Sequence, residues 1–267
     1  MNNKKLSGLF YTAVMGVAVL SLGSCTEKKF NINGTITQAK DSVLYLENMS
    51  LNGPKAVDSV KLDENGNFEF KQKAPDAPEF YRLRIANQMV NLAVDSTESI
   101  TVKAAYPTMS VNYEVSGSEE CAKIRDLAYM QLALQRQVTA IANSPTLGVQ
   151  AVEDSVTKVL EVYKNKVKLN YIFKEPMKAY AYYALFQTIV LGNANILIFN
   201  PRSSKDDVKV FAAVATSWDT YFPKAERGLN LHNIAIEGMK NVRIAENNAR
   251  QTISADKVQV AGVIDIA

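Results

Sequence analysis

Val115-Ser116-Gly117-Ser118-Glu119-Glu120-Cys121 is the stretch where this chain changes its periodicity. Before it, apolar and polar residues alternate every second position, as in half-buried strands; after it, apolar residues recur every three or four positions, as in amphipathic helices. Gly117 ends the first pattern. Ser118 supplies a helix N-cap, and Glu119 and Glu120 an acidic first turn. The expected fold class is therefore α+β, multidomain: an antiparallel β-sandwich over residues 25–117, then an all-α helical bundle over residues 118–255.

Working back from Gly117, eight short runs carry the alternation: Phe30 to Ile36, Val43 to Leu46, Val57 to Leu62, Phe68 to Phe70, Phe80 to Ile85, Val90 to Val94, Ile100 to Val102 and Val111 to Val115. Turn residues separate them, and Asn65-Gly66 supplies the positive φ angles that a tight hairpin needs.

Working forward, Cys121, Ile124, Leu127, Met130 and Leu134 mark one face of a first helix reaching about Asn143. Val152, Val156, Val159, Tyr163, Val167 and Tyr171 mark a second. The spacing and Pro176 predict a third over Met177 to Leu191, apolar almost all round and so central to the bundle. Ser203 or Ser204 caps a fourth carrying Val208, Phe211, Ala215, Trp218 and Phe222. A fifth is expected from Pro223 to about Thr252.

The first 24 residues have the pattern of a secretory leader: Lys4 and Lys5, then an apolar stretch from Leu9 to Leu22, then Gly23-Ser24 before Cys25. Leu22-Gly23-Ser24-Cys25 matches the bacterial lipobox, so Cys25 is the expected lipidation site and residues 1–24 the signal peptide. The apolar stretch falls short of the roughly 20 residues a membrane-spanning helix needs. Several acyl chains, such as palmitate, on Cys25 would anchor the chain durably, at about 0.8 kcal/mol per buried methylene. Thr26-Glu27-Lys28-Lys29 has no aspartate directly after the cysteine, which points to the outer membrane with the protein facing the periplasm.

Composition excludes several chemistries. The formal net charge of +3 falls by two with the leader, and no clustered basic face suggests nucleic acid. Once Cys25 carries lipid, only Cys121 remains, so no internal disulfide can form in the monomer; His232 is the single histidine, so a His/Cys metal site would need several carboxylates besides. No G-x-S-x-G elbow, Walker loop or G-x-G-x-x-G is present. No cofactor and no catalytic residue are expected.

The lipobox, the Asp58-Ser59-Val60 and Asp63-Glu64-Asn65-Gly66-Asn67-Phe68 hairpin, Phe80-Tyr81-Arg82-Leu83 and Val115-Ser116-Gly117-Ser118 together resemble a domain of unknown function (DUF4369-type). That domain stands at the N-terminus of many Bacteroidetes lipoproteins. In those proteins a helical segment follows, then a thioredoxin-like domain of the thiol–disulfide oxidoreductase family. The helical part here is similar too, including Tyr221-Phe222-Pro223 and Leu231-His232-Asn233. The resemblance implies that residues 256–267 are the first strand of a thioredoxin-like domain, truncated here. No Cys-x-x-Cys exists, so the attacking and resolving thiols of that chemistry are both missing.

Among individual residues, Cys121 reads as a buried, inert thiol and His232 as a structural histidine. The Tyr180, Tyr182, Tyr183 and Phe186 cluster reads as bundle core with hydroxyls at its rim. Lys164, Lys166 and Lys168 read as a solvated face. Four Asp-Ser pairs, at Ser42, Ser59, Ser96 and Ser155, resemble the acceptor motif of Bacteroidetes periplasmic O-glycosylation. Asp-Ser is also good turn chemistry before a strand.

The expected function is a lipid-anchored, non-catalytic anchoring and interaction module. Its partners would be the membrane and a protein engaged through the sandwich edge or the C-terminal tail. Two alternatives stand beside it. One is a small-ligand or glycan-binding lipoprotein with aromatic residues in a cleft between sandwich and bundle. The other is the front half of a split or truncated oxidoreductase.

Overall fold

The computed structural model describes the backbone of residues 27–264 and the side chains of residues 27–251. The leader, Cys25 and the tail beyond Ile264 lie outside the described residues. All eight expected strands form: β1 (Lys29–Thr37), β2 (Val43–Ser50), β3 (Gly53–Lys61), β4 (Asn67–Lys73), β5 (Glu79–Ile85), β6 (Gln88–Val94), β7 (Ser99–Ala105) and β8 (Tyr113–Ser116). They make two four-stranded sheets, ordered β4-β1-β7-β8 and β3-β2-β5-β6.

The sandwich core follows from the alternation. Phe30 and Ile32 of β1, Leu44 and Leu46 of β2, Leu83 of β5 and Ile100 and Val102 of β7 are fully buried between the sheets. Each such side chain contributes about 1.5–3 kcal/mol relative to exposure. One pair departs from the antiparallel expectation, since β1 and β7 run parallel, with Gly34 opposite Val102. There a Cβ would lie 1.8 Å from the Val102 carbonyl oxygen, so only glycine permits the approach. Non-consecutive pairing of this kind leaves no trace in a local sequence pattern.

The second sheet is covered on both faces. Tyr81, Leu83 and Ile85 face the sandwich core, while Phe80 and Ala93 belong to a second cluster with the helices. α1 (Glu119–Ala142) packs on β6 and β8, its Ser118 cap accepting from the Cys121 amide at 3.3 Å. α2 (Val149–Val167) runs into a π-turn at Lys168–Ile172. α4 (Lys205–Tyr221) is capped by Ser204 and packs along α5 (Glu226–Ile264).

Two expectations are corrected. The helix expected over Met177 to Leu191 is only α3 (Ala179–Leu185), followed by a hairpin of β9 (Thr188–Leu191) and β10 (Ala194–Leu197). Thr188-Ile189-Val190 is poor helix sequence, and Gly192 at φ 59 with Asn193 makes the turn. α1 completes this sheet. Gln131 Nε2 donates to the Thr188 carbonyl at 2.6 Å, and Gln135 exchanges two hydrogen bonds with the Val190 backbone at 2.7 and 2.9 Å.

Residues 256–264, part of the stretch expected as a strand, are helical instead, α5 continuing through Ile264. No glycine or proline lies between Gly238 and Ala261 to stop it. Among the described residues, no helix is long and apolar enough to cross a membrane.

Candidate functional site

A cleft of about 450 Å³ opens where the second sheet meets the helices. Its sandwich side is Met49, Ser50 and Leu51 at the β2–β3 turn, Phe80 and Tyr81 of β5, and Asn91 and Leu92 of β6. Its helical side is Gln131 of α1, Tyr182 and Tyr183 of α3, the connecting Phe186, Gln187 and Thr188, and Arg227 and Asn230 of α5. Apolar walls with a few convergent polar groups are the usual make-up of a small-ligand site.

Tyr182 is the centre of the aromatic wall. Its ring centroid lies 5.3 Å from Phe80, 4.9 Å from Phe186 and 4.9 Å from Trp218. Burial raises the Tyr182 hydroxyl pKa, opposed by the nearby Arg227 guanidinium, so it is a neutral hydrogen-bonding group near pH 7. Trp218, the only tryptophan of the chain, stands directly behind this wall. Its Nε1 is buried and has no hydrogen-bond partner.

Arg227 fastens the two halves together. It is 6 % exposed, and its Nε and Nη2 donate to Glu79 Oε2 at 3.1 and 2.8 Å. Nη2 also donates to the Met49 carbonyl. The guanidinium carbon stands 4.9 Å from the Phe80 ring centroid and 5.8 Å from that of Tyr182. With Glu79 cancelling its charge, the cleft presents no net ionic demand.

Amides complete the lining. Gln187 accepts from the Tyr163 hydroxyl at 2.6 Å and donates to the Leu127 carbonyl at 3.0 Å and to Gln131 Oε1 at 3.3 Å. Asn91 Nδ2 donates to the Tyr183 hydroxyl at 3.3 Å, which leaves its second N–H and its side-chain oxygen for other partners. Beyond the cleft on the same sheet, Arg82 and Arg84 grip the buried Glu47. Burial would raise the Glu47 pKa, but the hydrogen bonds and charge of the two arginines hold it below the ordinary value.

Cys121 is fully buried. Its thiol donates to the Ala93 carbonyl at 3.2 Å, and desolvation pushes its pKa up to about 12. That leaves almost no thiolate at neutral pH. It joins the sandwich core rather than the helical cluster, so the first helix closes the sandwich. His232 sits half-exposed, its Nδ1 2.9 Å from Asp219 Oδ2. Tyr180 leaves the aromatic wall: its hydroxyl donates to Glu175 at 2.6 Å. Lys164 turns inward to Asp207 at 2.6 Å, unlike the solvated side chain expected.

The four candidate acceptor serines lie far apart in the chain's elements. Ser42 precedes β2 in a turn where Asp41 has φ 62, as turn chemistry requires. Ser59 is exposed within β3 and Ser96 is exposed in the β6–β7 loop, while Ser155 lies half-buried on α2. The turn reading therefore accounts for Ser42 and not for Ser59 or Ser155. At the sandwich edges, β3 is exposed along nearly its whole length.

Among the described residues, no group of three or more His, Cys, Asp or Glu is placed to hold a metal. The ligand-binding alternative expected aromatic residues in a cleft at this junction, but most of its lining was not readable, because β5, β6, α3 and α5 meet there only in three dimensions. Its aromatic members were visible as a cluster, and Gly192-Asn193 after a β-branched run was a readable hairpin signal.

The cleft is thus an open depression lined by aromatic and amide side chains between a sheet and helices. Residues 30–123 match the family model described as Domain of unknown function (DUF4369), so the sandwich and the first turn of α1 are a DUF4369 domain. No curated protein and no solved structure matches the chain.

Proposed function

We propose that this is a lipid-anchored, periplasm-facing binding module with no chemistry of its own, and that the junction cleft holds a small neutral ligand, a glycan in the first instance. The cleft carries the reading. Flat aromatic walls at Tyr182, Phe186 and Phe80 suit the C–H face of a sugar ring, and the amides of Asn91, Gln131 and Asn230 suit its hydroxyls. The neutralised Arg227 gives no reason to prefer an anion. The protonated, buried thiol of Cys121 and the surface pairing of His232 support a non-catalytic role. Lipidation of Cys25 places the module at the outer membrane.

The test is thermal denaturation over a panel of neutral oligosaccharides. A ligand at a hundred times its Kd stabilises by about 2.7 kcal/mol. That gain should vanish in the double variant Asn91→Ala/Phe186→Ala. If no member of the panel stabilises the protein, the ligand-binding reading fails.

The anchoring and spacing role also has an observation behind it. α5 has 39 residues and α4 only 17. At 1.5 Å per residue, α5 is about 58 Å long, far more than α4 can cover. It is suited to hold whatever lies at its C-terminal end away from the sandwich.

A further inference from the structure

α2 buries Val156, Tyr163 and Val167 against the other helices. Its opposite face is unusual. Val162, Leu169 and Phe173 are 65 %, 68 % and 46 % exposed. With Lys158 and Lys166 they follow one another at spacings of three and four, which places all five on a single stripe. The π-turn at Lys168–Ile172 carries that stripe on to Phe173, with Lys174 beside it. The ammonium groups of Lys158, Lys166 and Lys174 have no carboxylate partner among the described residues. Asp154, one turn before Lys158, and Glu161 are the acidic groups flanking this face.

Apolar side chains standing in water among unpaired lysines form the pattern of a helix that lies in a membrane interface. Lysine stems extend along apolar surface and keep their charge at the level of the headgroups. We propose that the α2 face seats on a bilayer bearing anionic phospholipid headgroups, with Val162, Leu169 and Phe173 entering the acyl boundary. The inference goes beyond the binding role of the cleft and stands without it. Charge complementarity selects the partner: three lysines without carboxylate partners against two carboxylates leave the face net positive, which favours an anionic surface over a neutral one. A contact this small suits a chain brought to the membrane by other means, because the tether supplies the local concentration.

The experiment uses the full chain with Cys25→Ser and Leu169→Cys, carrying an environment-sensitive fluorophore at 169. Cys121 is buried and stays unlabelled. A second version carries the label at Asn112→Cys on the sandwich. Vesicles are phosphatidylcholine alone or phosphatidylcholine with phosphatidylglycerol. The label at 169 should shift to the blue on the anionic vesicles only, and high salt should reverse it. Neutralising Lys158, Lys166 and Lys174 to Gln should weaken partitioning about fivefold per lysine. Attachment driven by the leader would reach both labels alike, so the difference between positions 169 and 112 is the readout. Equal responses on both vesicle types, equal responses at 112 and 169, or no response would overturn the proposal. So would a concentration-dependent blue shift without vesicles, which would assign the face to a second copy of the chain.

Discussion

Replacing Arg227 by Met should loosen the junction between the sandwich and the helices. The substitution keeps the apolar stem over Phe80 and removes three hydrogen bonds, two to Glu79 and one to the Met49 carbonyl. Hydrogen bonds to charged groups are worth about 1.5–3 kcal/mol each, and removing one partner of a buried pair costs about 3–5 kcal/mol. Glu79 is 34 % exposed and recovers part of that from water. The expected loss is therefore about 2–3 kcal/mol. For a chain of this size that lowers Tm by roughly 5–10 °C. The assay is urea denaturation followed by Trp218 emission, alongside circular dichroism. Adding Glu79→Gln should restore part of the loss, because the stranded carboxylate goes with it; a coupling of about 1 kcal/mol or more is expected. A single variant within 0.5 kcal/mol of the wild type, or purely additive losses in the pair, would refute the idea that Arg227 fastens the junction.

Other outcomes follow from the same contacts. Gly66→Ala places a Cβ 2.0 Å from the Ile36 carbonyl oxygen at φ 68, and should destabilise the sandwich by about 3 kcal/mol or more in denaturant titration. Cys121 should resist a thiol reagent in the folded chain and react only on unfolding; rapid reaction of the native thiol would contradict its burial. Glu120→Gln should gain stability relative to the wild type as pH rises from 4 to 7. Burial raises the folded pKa of Glu120 despite the Tyr180 amide and Lys178, so its ionised form costs stability above that pKa and the cost fades below the ordinary carboxylate value. Glu47→Gln should act in the opposite direction. The folded pKa of Glu47 is lowered by Arg82 and Arg84, so its contribution is present above the ordinary carboxylate pKa and disappears as pH falls through the depressed one. Intact mass of protein from its native host should show lipid on Cys25 and hexose increments if any of Ser42, Ser59, Ser96 or Ser155 is glycosylated; a peptide-only mass would remove both assignments.

Elements whose pattern is local were legible in the sequence. Ser118 with Glu119 and Glu120 announced α1, and the pair Ser203-Ser204 announced α4, because capping chemistry sits within one turn of the helix it starts. The alternation that buried Phe30, Ile32, Leu44 and Leu46 was readable for the same reason. What escaped was set at a distance. The parallel β1–β7 pair depends on a crossover, and β9 is completed by glutamines of α1 some 55 residues away in the chain. The helix expected through Leu191 failed because the apolar run after Pro176 continued across Thr188-Ile189-Val190, where β-branching favours a strand. The cleft was only half visible: its tyrosines formed a cluster in the sequence, whereas Asn91, Arg227 and the β2–β3 turn meet them only through packing.

The most direct test of the account is emission from Trp218, the sole tryptophan, one ring behind the wall of the cleft. Titration with a neutral oligosaccharide that stabilises the protein should change that emission saturably, at one ligand per chain, and the response should be lost in Asn91→Ala/Phe186→Ala while the fold is retained. A stabilising ligand that leaves Trp218 emission unchanged, or one whose effect survives the double variant, would place binding elsewhere and contradict the assignment of the cleft.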